Sequence, residues 1–343
     1  MNELIQLQIK LVPEIIDITE KRYSILRTVE FNQPIGRRAL AANLNKSERW
    51  VRSELDFLKD QGLIDIQPLG MTITDEGKSL IGKLREYIAE LKGLKNLEQY
   101  IKDTLGIMDV VIVPGDADHE REAVSEIAKA AFEYVKRRLR NNSVIAVSGG
   151  YTLLAVAEQS YKVDAKNLVV VPARGGIKAD LERQANIVAA KMAKNIGGDY
   201  YLLHLPDNID AEMLERMSAD PDIAKVMKYI KSSDIFIFGL SSLEAISKKR
   251  NFTTEEMRHL ESLAVKAEAF GCYFDINGNI VHKSSSIGIT DSDLNNIDTV
   301  MAVGGGVSKA QPLILVNKGR SNNVIITDEA AAREIYNILR GGN

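Results

Sequence analysis

The sequence holds few of the residues on which several classes of protein depend. Its 343 residues include one cysteine, Cys272, so no disulfide bond can form within the chain. Cys272 lies in the strand-like stretch CYFDI, without the histidine and aspartate context of a thiol nucleophile, and we expect a buried structural cysteine. The four histidines, His119, His204, His259 and His282, form no recognisable acid–base cluster.

Long apolar runs and an excess of one charge sign are missing as well. No stretch reaches the roughly 20 apolar residues of a membrane-spanning helix, and MNELIQLQIKLVPEII at the N-terminus mixes charges into its apolar residues, unlike a signal peptide. We therefore expect a cytoplasmic protein with no membrane partner. With 44 Lys and Arg against 47 Asp and Glu, the formal net charge is −3, so any nucleic-acid contact must come from a local basic surface and depend strongly on salt.

The length and the pattern of apolar residues predict two domains. One hydrophobic core seldom organises so long a chain. The first hundred residues are typical of helices with one short hairpin, whereas apolar strands alternate with helical segments from Asp109 onward. We place the boundary between residues 92 and 93. Apolar residues at three- and four-residue steps between positions 80 and 101 predict a connecting helix, which either packs on its own domain or forms a dimer contact.

A helix-turn-helix is predicted in the first domain. Residues 34–44 favour a short helix, Asn45 and Lys46 interrupt it, and Ser47 caps a second helix, SERWVRSELDFLKDQ, which stops at Gly62. Val51 and Leu55 fall on the apolar face of that helix, which leaves the polar residues of its first two turns pointing outward. A recognition helix enters the major groove with its N-terminal residues first. The predicted DNA-binding residues are Ser47, Glu48, Arg49, Arg52 and Ser53.

Two alternating segments follow in LIDIQPLGMTITDEG, on either side of Pro68-Leu69-Gly70. They predict a wing hairpin that lies along the phosphate backbone, which completes a winged helix-turn-helix. A small helical domain for protein contacts, with its arginines on a solvated face, is the alternative.

The second domain is predicted to be α/β, with a doubly wound, Rossmann-like parallel sheet. Short strands that are apolar throughout, separated by helix-length segments, are typical of a parallel sheet covered by helices on both faces. CYFDINGNIVH departs from this pattern, because two β-rich runs flank Asn277-Gly278 and predict a small β insertion. The strands are DVVIV from Asp109, SVIAV from Ser143, LVVVP from Leu168, YYLLHL from Tyr200, DIFIF from Asp234, DTVMAV from Asp298 and NVIIT from Asn323.

Glycine loops follow three of these strands and predict an anion site. SVIAV runs into Ser-Gly-Gly-Tyr-Thr and then a helix, so backbone amides and the positive end of the helix dipole face one point. Arg174 follows LVVVP and Lys309 follows DTVMAV through a triple-glycine loop. The dinucleotide and ATP loop motifs are missing, which favours a smaller phosphorylated ligand. Any one of these loops is equally consistent with a tight turn, but three at one sheet edge favour a ligand.

These segments together resemble the SorC-type family of sugar-responsive transcription regulators, over nearly the full chain. The resemblance implies a repressor of an operon for lower glycolytic enzymes, with an effector domain related to sugar-phosphate isomerases and deaminases that binds fructose-1,6-bisphosphate. The matching segments are FLKDQGLIDIQPLGMTIT, VVIVPGD, VIAVSGGYT, VVVPARGG with Gln184 and Asn186, Lys249-Arg250-Asn251, AEAFGCYFDINGNIVHK, AVGGGVSKA and VIITDEAAA.

The resemblance also implies roles for individual residues. One phosphate would be held by Gly149, Gly150, Tyr151, Thr152 and Lys309. Arg174 and Arg250 would hold the other phosphate, and Gln184 and Glu268 would contact the sugar. The family loop commonly has threonine at position 151, so with Tyr151 a hydroxyl contact is lost or moves to the end of a longer phenol.

A regulator that is not an enzyme is the favoured interpretation. Related deaminases and isomerases use a carboxylate and often a histidine over the sugar, and no such set is recognisable. An isomerase or deaminase with an appended interaction domain ranks second, and a protein-interaction module with an incidental anion site ranks third. Asp116, Asp118, His119 and Glu120 resemble a metal cluster, but they open a helix, where acidic residues are favoured by capping and the dipole.

The expected partners follow from this interpretation. They are operator DNA, a sugar phosphate and further copies of the chain, as a dimer or tetramer; neither a metal nor a cofactor is expected. We expect the effector to act by shifting oligomer contacts, because a ligand changes DNA affinity only if it favours one of two states.

Overall fold

The computed structural model describes residues 7, 10–176, 184–205, 212, 216–217, 219–250, 252–284 and 287–341, with the side chains of residues 248–250 excepted. The chain divides into two compact units, residues 1–96 and 97–343. The boundary that the sequence predicts between residues 92 and 93, as a division of function, stays a prediction. Within the described ranges, no helix is both long and apolar enough to cross a membrane.

The first unit contains the predicted helix-turn-helix. Its turn is made by Asn45, whose φ of 50° is left-handed, and Ser47 then caps the second helix by accepting a hydrogen bond from the Trp50 N–H at 3.3 Å. Val51 and Leu55 lie in the core. The helices are α1 (Glu14–Asn32), α2 (Arg37–Asn43), α3 (Glu48–Asp60) and α4 (Asp75–Leu91).

The predicted wing is present as an antiparallel pair, β1 (Ile64–Gln67) and β2 (Gly70–Ile73). A third segment, which was not predicted, joins it: Ile35 and Met71 exchange two backbone hydrogen bonds of 3.1 and 2.8 Å. The backbone of Ile35 passes so close to Gly70, at φ 134°, that a Cβ there would lie 2.9 Å from the Ile35 nitrogen. The wing is therefore fixed to the segment that precedes α2.

The prediction of one connecting helix over residues 80–101 is wrong. The segment forms two helices, α4 and α5 (Leu94–Leu105), which Lys92 and Gly93 separate. Gly93 has a φ of 67°, the left-handed conformation in which glycine commonly ends a helix. Ile88 in α4 and Ile101 in α5 are both buried, so each helix has an apolar face. A dimer contact through this region stays a prediction.

The second unit is built on a seven-stranded sheet in the order β3-β13-β12-β7-β4-β5-β6, with every neighbouring pair parallel. All seven predicted strands are present, although YYLLHL contributes only the short β6. The strands are β3 (Asp109–Val113), β4 (Val144–Val147), β5 (Val169–Pro172), β6 (Asp199–Tyr200), β7 (Ile235–Phe238), β12 (Thr299–Val303) and β13 (Asn323–Asp328).

The connections make this sheet doubly wound, as predicted. From β4 the chain moves outward through β5 to β6, and from β7 it returns through β12 to β13. Because crossovers between parallel strands are right-handed, this reversal places helices on both faces of the sheet. The helices are α6 (Arg121–Arg138), α7 (Tyr151–Gln159), α8 (Ala185–Ile196), α9 (Pro221–Lys231), α10 (Leu243–Arg250), α11 (Thr254–Ser262), α12 (Ala310–Asn317) and α13 (Glu329–Gly341).

The β insertion is larger than the predicted hairpin. The hairpin itself is confirmed: β10 (Cys272–Phe274) pairs antiparallel with β11 (Ile280–Lys283) around Gly278, whose φ is 84°. It belongs to a four-stranded antiparallel sheet that also contains β8 (Leu240–Ser242) and β9 (Ala267–Ala269). The expected buried Cys272 is confirmed, and burial raises the pKa of its thiol to about 11.

Candidate functional site

A cavity of about 470 Å³ opens at the carboxyl ends of β4, β5, β7 and β12. Connections from β4 and from β7 leave in opposite directions, so the crevice between these neighbouring strands is the switch point at which open α/β sheets bind ligands. Eight of the nine predicted effector-binding residues line the cavity. They are Gly149, Gly150, Tyr151, Thr152, Arg174, Gln184, Glu268 and Lys309.

The glycine loop after β4 is tied to the neighbouring strand end. Buried Ser148 donates its N–H to the Ile237 carbonyl at 2.9 Å, and its hydroxyl oxygen accepts the Gly239 N–H at 3.1 Å. Gly150 follows at φ 127°, a conformation that side-chain-bearing residues rarely adopt, and it forms the N-cap of α7. The positive end of the α7 dipole therefore faces the cavity beside Tyr151 and Thr152, and Tyr151 is half exposed.

Arg174 lies on the second loop, only 5% exposed, with its guanidinium against the backbone of Gly271. Its Nη2 donates to the Ser284 hydroxyl at 3.2 Å, and its Nη1 lies 3.6 Å from the Glu268 Oε1. Its backbone pairs with Gly288, where a Cβ would lie 2.7 Å from the Arg174 Cα. These contacts fix the arginine in one orientation at the cavity wall.

Glu268 has a structural partner that sequence reasoning missed. The residue lies on β9, is 7% exposed, and its Oε1 accepts the Gly271 N–H at 3.0 Å in addition to facing Arg174. A buried carboxylate and a buried guanidinium compensate each other's lost hydration, and removing one leaves the other uncompensated. Contact between Glu268 and a sugar stays a prediction.

The third loop, residues 304–306, is held by Asp328 at the end of β13. The Oδ2 of Asp328 accepts the N–H of Gly306 at 2.8 Å and that of Ala117 at 2.6 Å, while Oδ1 accepts the Ala331 N–H at 2.9 Å. A Cβ at Gly305 would lie 2.6 Å from the same Oδ2. Asp328 is fully buried, and burial raises the pKa of its carboxyl to about 6, although the three hydrogen bonds oppose the rise.

Sequence reasoning gave Asp328 no role, although a signal was available. Asp328 is the last residue of β13, a strand that is buried throughout, and it directly precedes a helix. An acidic residue at that position is favoured as a cap, but the second bond of its carboxylate, to a loop 22 residues away, requires the fold.

Asp118 lies at the same end of the cavity. Its Oδ2 accepts the Ser308 N–H at 3.1 Å and its Oδ1 accepts the Ser308 hydroxyl at 3.0 Å. Its neighbour Asp116 accepts the Asp118 N–H at 2.9 Å, and α6 begins shortly after, as expected for an acidic helix start. Among the residues that the structure describes, no group of three His, Cys, Asp or Glu side chains could hold a metal.

Two of the predicted effector-binding residues, Gln184 and Arg250, lie at helix ends. Gln184 is the N-cap residue of α8 and its side chain lines the cavity. Arg250 ends α10, but its side chain lies outside the described residues.

In the first unit, α3 presents the surface predicted to contact DNA. Its apolar face, with Val51, Leu55 and Leu58, is buried. The Glu48 carboxylate lies 3.3 Å from the Arg38 guanidinium in an exposed ion pair. Each predicted DNA-binding residue is exposed, namely Ser47, Glu48, Arg49, Arg52 and Ser53.

Comparison with known proteins supports both units. The family of sugar-binding domains matches residues 89–337, and the CggR N-terminal DNA binding domain matches residues 18–88. The chain is 38% identical over 337 residues to the central glycolytic genes regulator of Bacillus subtilis, covering 98% of this chain and 99% of that protein.

Solved structures agree with the fold. A SorC family transcriptional regulator from Enterococcus faecalis is 31% identical, with a TM-score of 0.66, over 70% of this chain and 99% of that chain. The full-length sorbitol operon regulator SorC from Klebsiella pneumoniae, at 18% identity, matches 96% of this chain and 98% of its own with a TM-score of 0.65.

These relatives are transcription regulators, which confirms a regulator rather than an isomerase or deaminase. The winged helix lies within the residues that match the DNA-binding model, and the seven-stranded sheet lies within those that match the sugar-binding model. The chain therefore belongs to the SorC-type family of sugar-binding transcription regulators, with the DNA-binding domain of the central glycolytic genes regulators.

Proposed function

We propose that this protein represses a central glycolytic operon, and that fructose-1,6-bisphosphate bound in the cavity modulates its affinity for operator DNA. Residues 1–92 would bind the operator. Residues 93–343 would bind the effector and join copies of the chain into a dimer or tetramer. The similarity to central glycolytic genes regulators supports the choice of operon. The choice of effector follows from the family resemblance of the sequence.

The observation that carries the proposal is the convergence of three loops on one cavity. A helix N-terminus with a glycine cap, a buried arginine and a lysine on a triple-glycine loop all line it. Backbone amides at a helix N-terminus favour phosphate, and a guanidinium binds phosphate through two parallel hydrogen bonds. A ligand with two phosphates fits two cationic groups, Arg174 and Lys309, on different loops.

Tyr151 is proposed to limit which sugar phosphates fit. It is the first residue of α7, and its half-exposed side chain lines the cavity. Replacing Tyr151 with Thr shortens the side chain and places a hydroxyl next to the loop amides. We expect Tyr151→Thr to change the ranking of glycolytic phosphates rather than to abolish binding.

A thermal-shift panel of glycolytic phosphates tests the effector. A ligand that binds only the folded state raises stability by about 2.7 kcal/mol at one hundred times its Kd. We expect fructose-1,6-bisphosphate to raise the melting temperature of the wild type and not of Arg174→Ala or Lys309→Ala. A wild type that responds to no bisphosphate would remove the proposed effector.

A salt-controlled gel shift with the operator region tests the DNA half. Arg52→Ala is expected to weaken operator binding and to leave the thermal shift with the bisphosphate unchanged. Glu255→Gln, an exposed residue in the first turn of α11, serves as the control variant. Equal loss of both activities in every variant would point to misfolding, and selective binding that survives Arg52→Ala and Arg49→Ala together would contradict the assigned recognition surface.

A further inference from the structure

The Asp118 carboxylate takes hydrogen-bond donors that belong to the lysine-bearing loop. It accepts both the backbone N–H and the hydroxyl of Ser308, at 3.1 and 3.0 Å. These are two donors from one residue, which lies directly before Lys309 and is separated from the triple glycine by Val307. Asp118 and Lys309 both line the cavity, and Asp118 comes from a loop 190 residues away in sequence.

Gly306 leaves room for this carboxylate because it has no side chain. Gly306 has a φ of 87°, and a Cβ there would overlap the carboxyl group of Asp118. A glycine with its N–H held by Asp328, followed by serine N–H and hydroxyl donors and a lysine, forms the kind of concave donor set that binds phosphate oxygens. The Asp118 carboxylate therefore takes the position that a bound anion would take in this donor set.

A phosphate and Asp118 cannot share these donors. Ser308 has one N–H and one O–H, and both point to Asp118. A phosphate placed there would also stand within a few ångströms of a like charge, which costs free energy even in a partly solvated site. Asp118 is solvent-exposed, so its carboxylate regains water when it leaves and the exchange is not prohibitive.

We propose that Asp118 is an internal competitor of the effector: it holds the Ser308 donors, and a phosphate group of the ligand must displace it. The inference rests on the proposed function and adds a specificity-determining residue to it. A sugar hydroxyl can donate to Asp118 and leave it in place, whereas a phosphate dianion expels it. The site thereby separates phosphorylated sugars from neutral ones by the movement they require.

Displacement also has a structural consequence. Asp118 lies in the short loop between β3 and α6, and its bonds to Ser308 tie this loop to the segment that precedes α12. A ligand that expels Asp118 releases the start of α6 from that segment. Differential stabilisation of the two loop positions is the kind of two-state coupling that an effector needs.

Isothermal titration of the full-length protein tests the proposal, with inorganic phosphate and fructose-1,6-bisphosphate as probes. Asp118→Ala frees both donors and removes the like charge, so we expect about tenfold tighter binding of both probes. Asp118→Asn keeps an oxygen that can accept from Ser308 but loses the charge, so it should fall between Asp118→Ala and the wild type. Glu255→Gln, which removes a charge from an exposed helix, should not differ from the wild type.

A double-mutant cycle separates competition from a merely structural role. In a Ser308→Ala background the hydroxyl donor is gone, and the gain from Asp118→Ala should shrink severalfold. Thermal unfolding without ligand shows whether each variant is folded. Weaker or unchanged probe binding by folded Asp118→Ala, while the wild type binds, overturns the competitor proposal alone. A folded wild type that binds neither probe overturns the proposed function, and this inference falls with it.

Discussion

Replacing Asp328 with asparagine should change how the stability of the protein depends on pH. The carboxyl is fully buried, and its pKa is raised to about 6 from an ordinary 3.8. A group whose folded pKa is raised binds its proton more tightly in the folded state. The stability this confers is fully present below pH 3.8 and is lost as pH rises through 6. The rise corresponds to about 3 kcal/mol between the two limits.

Asp328→Asn removes this titration while keeping the size of the side chain. If its oxygen takes the position of Oδ2, the N–H groups of Gly306 and Ala117 keep their acceptor, but the Ala331 N–H loses its own. That lost bond costs about 1–3 kcal/mol at every pH. Near pH 4.5 the folded wild type is neutral at this position and should have its largest stability advantage over the variant. Near pH 7.5 the folded wild type carries a buried charge, which costs free energy, and this advantage should be lost.

Urea unfolding followed by far-ultraviolet circular dichroism, at several pH values between 4.5 and 7.5, measures the difference. Other groups titrate in both proteins, so only the difference between wild type and variant reports on Asp328. The free energy of unfolding of the wild type minus that of Asp328→Asn should fall by about 2 kcal/mol across this range, because the carboxyl of the unfolded chain is already mostly ionised at pH 4.5. A difference that stays constant with pH, or that grows towards pH 7.5, would refute the reasoning.

Three further outcomes follow from the described contacts. Leu55→Ala should destabilise the first unit by about 2–5 kcal/mol, because the side chain is fully buried among the helices, and the fluorescence of Trp50 during urea unfolding measures it. Ser47→Ala removes the cap of α3 and should cost about 1 kcal/mol by the same assay, whereas Ser53→Ala should cost less than half of that. Cys272 should resist a thiol reagent at pH 8 in the folded protein and react fully in urea, since burial raises its pKa to about 11 and keeps the thiol protonated; fast reaction of the folded protein would contradict this argument.

The sequence predicted the elements of the second unit well, for a physical reason. A strand buried on both faces must be apolar throughout, so VIAV, IFIF and VMAV are visible as strands without knowledge of their neighbours. The sequence predicted only two of the four strands of the antiparallel sheet, β10 and β11. β8 and β9 are three residues each, LSS and AEA, and neither the polar serines nor Glu268 signals a buried strand. They are strands because β9 pairs with β10 and β8 pairs with β9, and pairing is not local.

The glycine between α4 and α5 is visible in the sequence, but the sequence alone does not show that the helix ends there. Apolar residues keep helical spacing across residues 80–101, and a helix can tolerate one glycine at a cost of about 1 kcal/mol. Whether Gly93 lies inside a helix or ends one depends on which packing the two halves prefer. Ile88 is 1% exposed and Ile101 is 0% exposed, so the burial of each helix outweighs the continuity of the apolar pattern.

In the candidate site too, local features could be predicted from the sequence and long-range contacts could not. Residue types at strand ends, such as Gly150 and Arg174, follow from local chemistry, and the sheet brings them to one edge. What the sequence could not supply is which acids face which donors, because those pairs join distant segments. Glu268 faces Arg174, and Asp118 faces Ser308. The proposed anion site thus carries a carboxylate at each of two donor groups. If the cavity binds a phosphate as proposed, we expect its affinity to be lower than the charge of Arg174 and Lys309 alone implies, because these carboxylates compete for the same donors.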